Sequence, residues 1–101
     1  MVIVGGTFAV DPGQRVEFIA NHHDMIRTSR AEAGCLEYTY SADPIDPGRV
    51  VLFEIWESQD ALDAHLQVLR AAPPSPETAE PEVEATSYSI VIYDVAGSRS
   101  L

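Results

Sequence analysis

The chain contains no lysine and only six arginines, against 16 acidic residues, so its formal net charge is −10. Such a surface repels phosphate backbones and lacks a basic cluster for an anionic bilayer, which argues against nucleic-acid and membrane partners. Cys35 is the single cysteine, which excludes an intrachain disulfide and a multi-cysteine metal site. No apolar run reaches the roughly 18 residues of a membrane-spanning helix, and no basic leader opens the chain. We therefore expect a cytoplasmic protein.

Length and hydrophobic content set the size of the expected domain. The 101 residues are 46% hydrophobic, which is enough for one small core. At this length folding removes only about two-thirds of the unfolded chain's surface from water, so a second subunit would help to cover it. We expect one domain over residues 1–95 and a tail over residues 96–101.

Hydrophobic periodicity divides the chain into six elements. β-branched and aromatic runs predict strands at residues 2–10, 35–41, 50–57 and 86–95. A period near 3.6 predicts a helix over residues 14–33, closed by Gly34, and a second helix after Ser58. Residues 71–85 hold four prolines and no aromatic residue, and are predicted to form a loop. The order βαββαβ predicts an α+β, ferredoxin-like fold with an antiparallel sheet.

Residues 50–57 (VVLFEIWE) are apolar at both parities, which is unusual for a strand with helices on one side only. One parity carries Leu52, Glu54 and Trp56, and the other carries Phe53 and Ile55. No element of the chain remains to cover the second face. A second copy of the chain is the economical cover, so we expect a homodimer.

Three histidines are the candidates for proton transfer. The helical angle places His22 and His23 on the apolar side of the first helix, with Val16, Phe18, Ile19 and Ile26. His65 falls on the inward face of the second helix. Each could be an acid or base in a cavity, or a structural histidine bonded to backbone or water. Adjacent helical histidines diverge by about 100°, and no third ligand has suitable spacing, so no metal site is expected.

Strand residues supply the candidate binding side chains. Aromatic residues on predicted strands pack in a core or line a pocket, and those of interest are Phe8, Tyr38, Phe53 and Trp56. Glu54 shares a parity with Trp56. A carboxylate inside a strand either faces a pocket or forms a salt bridge, and the salt bridge to Arg27, Arg30 or Arg49 is the preferred interpretation.

Four segments carry a family resemblance: residues 34–38 (GCLEY), 46–49 (DPGR), 54–58 (EIWES) and 62–66 (LDAHL). Their order and spacing, up to about residue 67, resemble the antibiotic biosynthesis monooxygenase domain family. The resemblance implies a dimeric α/β barrel in which two ferredoxin-like sheets pack face to face. It also implies a cavity between helices and sheet, with Trp56 as its tryptophan and His65 as its signature histidine.

Studied members of that family oxidise quinols and polycyclic anthrones with O2 and no cofactor. The resemblance therefore implies a monooxygenase of a small aromatic or polyketide substrate, with no cofactor. Leu52 and Leu62 occupy positions where anthrone oxygenases carry polar pocket residues, and the asparagine and histidine of haem-degrading relatives are not evident. An isomerase or cyclase on the same scaffold, or a non-catalytic dimer that binds a small apolar ligand, remain the alternatives.

Overall fold

The computed structural model describes residues 1–71 and 83–101 of the chain. The strands are β1 (Val2–Ala9), β2 (Cys35–Ala42), β3 (Arg49–Trp56) and β4 (Ser87–Asp94). The helices are α1 (Arg15–Asn21), α2 (His23–Arg30) and α3 (Gln59–Ala71), and a 3₁₀ turn (Pro12–Gln14) precedes α1. Most of the predicted 71–85 loop lies outside the described residues. Within the described ranges, no helix has the length and apolar character needed to span a bilayer.

The four strands form one antiparallel sheet in the order β2-β3-β1-β4. β1 lies between β3 and β4, and Val2 is opposite Trp56 on one side and Asp94 on the other. β2 pairs with β3 at the edge, with an irregularity between Cys35 and Glu37. The α+β, ferredoxin-like fold predicted from the order of the elements is therefore confirmed.

Strand alternation separates the sheet into a helix-covered face and a face that no described helix covers, the bare face. On β3 the covered face carries Val50, Leu52, Glu54 and Trp56, all at most 5% exposed. The opposite parity carries Val51, Phe53 and Ile55, and none of these is buried. The bare face is continued by Ile3 on β1 and by Val91 and Tyr93 on β4, which the register places beside them.

The first helical region is interrupted at His22, where a continuous helix over residues 14–33 was predicted. The backbone N–H of His22 bonds to the carbonyl of Ile19, three residues back, at 3.0 Å. The carbonyl four residues back, that of Phe18, accepts instead from Nδ1 of the His22 ring at 2.7 Å. The side chain thus takes the acceptor that the α-helical ladder would use, so α1 ends and α2 begins there.

Two further details of this region differ from expectation. Val16 is 83% exposed, because two residues along a helix are about 200° apart and the buried Phe18 faces the sheet. α2 ends at Arg30 with Ala31 as its C-cap, so Gly34 does not close the helix. Gly34 has a φ of 82°, and a Cβ there would lie 2.6 Å from Cβ of Ala61. It serves the turn into β2 and the close approach of α3.

Arg15 fixes the turn between β2 and β3. Its Nη1 donates to the carbonyl oxygens of Asp43 and Asp46, both at 2.9 Å. The Asp43 carboxylate accepts from the backbone N–H of Ile45 and of Asp46, both at 2.8 Å, and pairs with Arg49. These bonds hold the hairpin whose second strand carries Glu54 and Trp56.

Candidate functional site

A cavity of about 190 Å³ lies between the sheet and helices α2 and α3. Most of its wall is apolar and comes from five elements. The apolar residues are Val4, Met25, Leu52, Leu62, Leu66, Leu69, Ile90 and Ile92. Ile90 and Ile92 are 42% and 49% exposed, so the β4 side of the wall also faces solvent. Tyr38, Tyr40, Glu54 and His65 supply the polar groups.

His65 is 2% exposed and is held by a carboxylate from a distant part of the chain. Its Nδ1 donates to Oε2 of Glu32 at 2.7 Å, and the Glu32 side chain is 18% exposed. Because an ionised carboxylate only accepts, this bond places a ring proton on Nδ1. In the neutral ring, Nε2 is then the basic atom.

Glu54 is 5% exposed and is bonded to the indole of the neighbouring residue on its face. Trp56 donates from Nε1 to Oε1 of Glu54 at 2.9 Å. Burial raises the pKa of the Glu54 carboxyl, against the lowering effect of the Trp56 bond. The preferred expectation of a salt bridge from Glu54 to an arginine is therefore wrong. The indole supplies the hydrogen bond because residues two apart on a strand share a face.

The arginines expected beside Glu54 are engaged elsewhere. Arg49 pairs with Asp43, Arg27 pairs with Asp24 at 3.0 Å, and Arg30 donates from Nε to the Tyr38 carbonyl at 2.8 Å. Glu54 therefore faces the cavity, which was the second interpretation of its place in the strand.

Two phenols, those of Tyr38 and Tyr40, complete the polar lining. Burial raises the pKa of the Tyr40 hydroxyl to about 12 and raises that of Tyr38 well above its ordinary value. The nearby Glu54 carboxylate raises both further, because a second negative charge would be repelled. Both phenols are therefore neutral and can donate a hydrogen bond at physiological pH.

Aromatic packing positions His65 against the sheet. The His65 and Trp56 ring centroids are 4.6 Å apart with a 31° angle between the rings. Tyr38 approaches His65 edge-on, at 5.3 Å and 64°. Trp56 is fully buried, and among its contacts are His65 and Glu54, which line the cavity.

The other two candidate histidines lie elsewhere. His22 is half-buried beyond Tyr40, on which its ring stacks at 4.9 Å and 25°. His23 is exposed and lines a separate groove with Arg27 and Arg30. His65 therefore lines the cavity, His22 is separated from it by Tyr40, and His23 lies outside it.

Some of the predicted binding residues line the cavity and others lie away from it. Leu52, Leu62, Tyr38 and Glu54 line the cavity. Phe8 packs at the far end of the sheet, 5.3 Å from the ring of Phe18. Phe53 points to the bare face and is 38% exposed.

Two polar side chains near the cavity, those of Glu32 and Ser29, were not identified from the sequence. Glu32 lies in the connection after α2, where no periodicity marks it, and Ser29 is 1% exposed and lowers the pKa of the nearby Tyr38 hydroxyl. The inward position predicted for His65 was the available signal, because a buried imidazole needs a partner. Among the described residues, no three His, Cys, Asp or Glu side chains come together as a metal site.

The ferredoxin-like sheet carries an apolar cavity lined by an imidazole, a carboxylate and two phenols, which is the candidate small-molecule site of this fold. Residues 1–69 match the sequence model of the family described as antibiotic biosynthesis monooxygenase. The chain belongs to this family, which confirms the resemblance found in the four sequence segments.

The chain is also similar to individual proteins and solved structures. An uncharacterized protein of Synechocystis, sll1783, is 33% identical over 102 residues, which span 99% of this chain and 67% of that protein. The structure of Rv0793 from Mycobacterium tuberculosis is similar with a TM-score of 0.70 and 27% identity, over 98% of both chains. MhuD, a haem-degrader of the same organism with two haems in its active site, has a TM-score of 0.74 at 19% identity, over 99% and 100% of the two chains. The MhuD similarity concerns the fold.

Proposed function

We propose that the chain is a monooxygenase that oxidises an uncharged, single-ring quinol with O2 and without a cofactor. The observation that carries this proposal is the convergence of His65, Glu54, Tyr38 and Tyr40 on one small apolar cavity. An electron-rich phenolate can pass an electron to O2 itself. The protein then needs to supply a base, donors for oxyanions and a water-poor site.

The polar groups divide into acceptors and donors. His65 and Glu54 are the acceptors for a substrate hydroxyl proton, since Nε2 of one and the carboxylate of the other are basic. Tyr38 and Tyr40 are neutral donors for the negative oxygen that forms. The overall reaction balances as quinol plus O2 giving hydroxyquinone plus water, so no external reductant is required.

The volume of the cavity supports one ring rather than several. An engineered cavity of about 150 Å³ binds benzene, whereas pockets for drug-sized ligands begin near 300 Å³. The present cavity, about 190 Å³, is closer to the first volume, which favours a single aromatic ring over a three-ring anthrone. The same volume does not favour a haem as the ligand of this cavity.

Charge narrows the substrate class further. Among the residues that the structure describes, the cavity lining contains the Glu54 carboxylate and no arginine or lysine. A carboxylate or phosphate on the substrate would meet a buried negative charge without a counter-ion, which is unfavourable. We therefore propose a substrate that is uncharged before it loses its proton.

The test is O2 uptake by the purified protein, without added metal or flavin, with hydroquinones and anthrones of one to three rings. Uptake with one-ring quinols is expected, and His65→Gln should reduce it by about a hundredfold if the imidazole is the base. His23→Gln is the matched control, since that histidine is exposed and outside the cavity. Absence of uptake with every substrate would refute the oxygenase proposal. Conversion without O2 consumption would instead select the isomerase or cyclase alternative, and binding without conversion the non-catalytic one.

We also propose that two copies of the chain pair through the bare face of the sheet. This face presents Phe53, Val91 and Tyr93, which are 38%, 44% and 54% exposed. Apolar side chains in one continuous patch favour burial against a partner. Two ferredoxin-like sheets packed in this way form the dimeric barrel implied by the sequence resemblance.

Sedimentation at micromolar concentration should give twice the chain mass of 11.0 kDa. Phe53→Glu should shift the protein towards the single-chain mass, because it places a charge in the apolar patch. Val16→Glu is the matched control on the exposed surface of α1. A single-chain mass for the unaltered protein would contradict the dimer.

A further inference from the structure

We propose that Glu32 is a positioning residue that holds the His65 ring with Nε2 towards the cavity and passes its proton to solvent. This inference rests on the proposed function, because it assigns a route for the proton that the oxidation removes. It adds a residue that none of the four resemblance-bearing segments contains. The contact joins the connection after α2 to helix α3, across 33 positions of sequence.

The geometry places Glu32 between the buried ring and bulk water. His65 is 2% exposed, so the imidazole has almost no direct access to solvent. The Glu32 side chain is 18% exposed, and its Oε2 lies 2.7 Å from Nδ1 of the ring. Within residues 1–71 and 83–101, this is the hydrogen bond that the ring makes. Glu32 is thus the described group through which the ring reaches water.

The surroundings of the ring leave one carboxylate, that of Glu32, to orient the imidazole. Trp56 packs on the ring from β3 and Tyr38 contacts it edge-on from β2. Glu54, also on β3, is the second carboxylate near the ring. Since Glu54 is bonded to the Trp56 indole, Glu32 is the carboxylate left to orient His65.

The proposed step conserves atoms and charge. The O–H bond of the quinol breaks and a new N–H bond forms at Nε2 of His65. The proton on Nδ1 moves to Oε2 of Glu32, from where it exchanges with water. The reverse transfer returns a proton to the reduced oxygen when water leaves, so the ring and Glu32 regain their starting states.

Three variants separate the relay from simple orientation. Glu32→Gln keeps an acceptor for the Nδ1 proton through its amide oxygen, but that oxygen cannot take the proton away. Glu32→Ala removes both roles. Glu17→Gln makes the same charge change on the exposed face of α1 and is the matched control.

The first readout does not need turnover. Nitrogen-15 NMR of the histidine rings should show His65 protonated at Nδ1 in the unaltered protein, and its ring N–H should exchange with solvent. In Glu32→Gln the same tautomer should persist while the exchange slows. Exchange at the unaltered rate in Glu32→Gln would overturn the relay, whether or not any oxidation is observed.

The second readout uses the quinol oxidation itself. Glu32→Gln and Glu32→Ala should both lower kcat by about a hundredfold with little change in KM, and raise the solvent deuterium isotope effect. If Glu32 only orients the ring, Glu32→Gln should keep the kcat and the isotope effect of the unaltered protein. That result would refute the relay. If no quinol is oxidised by any variant while the NMR result stands, the proposed function fails and the proton route remains.

Discussion

Leu62→Ala should lower the free energy of unfolding by about 3 kcal/mol, of which about 2.4 kcal/mol is the three lost methylene equivalents. Leu62 is 1% exposed, lines the cavity and belongs to the buried cluster that holds Tyr38 and Trp56. The remainder of the loss comes from packing contacts that the enlarged cavity cannot replace. The same change makes room in the cavity, so a two-ring quinol should become a substrate or ligand.

Urea unfolding, followed by the fluorescence of Trp56 at fixed protein concentration, measures the loss. The unfolding slope should stay constant while the midpoint falls. Leu69→Ala is the matched control: it lies on the same helix and lines the same cavity but is 36% exposed, so its loss should be about 1 kcal/mol. Equal losses for the two variants would refute the packing argument, and unchanged ring selectivity would refute the assignment of Leu62 to the cavity wall.

Three other changes probe separate parts of the molecule. Gly34→Ala should destabilise the fold, because φ is positive at this position and the new methyl group would collide with Ala61. Thermal unfolding measures the loss of stability, and an unchanged Tm would contradict the prediction. The hydrogen bonds from the backbone of the turn lower the pKa of Asp43 from 3.8 to about 2. The ionised Asp43 side chain therefore stabilises the fold at pH values above 3.8, and this stabilisation is lost as the pH falls towards 2. Asp43→Asn should therefore be less stable than the unaltered protein at pH 6, and the two should converge near pH 2. Burial raises the pKa of the Glu54 carboxyl above its ordinary value of 4.5. Ionisation of Glu54 therefore destabilises the fold increasingly as the pH rises above 4.5. Glu54→Gln should relieve this, and its stability advantage over the unaltered protein should shrink in urea titrations as pH falls to 4; an advantage independent of pH would show that ionisation is not the cause.

The strands and the covered face of the sheet were predictable from the sequence, because alternation is a local pattern. Leu52, Glu54 and Trp56 share a parity, and this alone places Glu54 on the covered face. The partner of Glu54 was predicted wrongly, because an arginine was chosen by charge, whereas the Trp56 indole two residues away was already on the same face. Local geometry decided this contact.

The interrupted helix and the role of Glu32 were beyond sequence reasoning for different reasons. The amphipathic pattern of residues 14–33 runs through His22, and the break depends on one ring nitrogen that takes the Phe18 carbonyl. Glu32 meets His65 only after the chain has crossed the sheet, so no spacing rule connects the two. The catalytic roles of His22, His23 and His65 stay predictions, and the variants His65→Gln and His23→Gln test two of them.

The place of β4 beside β1 has a consequence for how the chain reaches its folded state. Val2 pairs with Asp94, so this ladder joins residues separated by almost the whole described chain. A contact at such separation closes a large loop and forms slowly compared with a hairpin. Ile90 and Ile92 reach the cavity on this strand, so a growing chain has the β2–β3 hairpin before it has an enclosed interior. The apolar lining is therefore exposed longest during synthesis, and delayed docking of the last strand is the step at which this protein is most prone to aggregation.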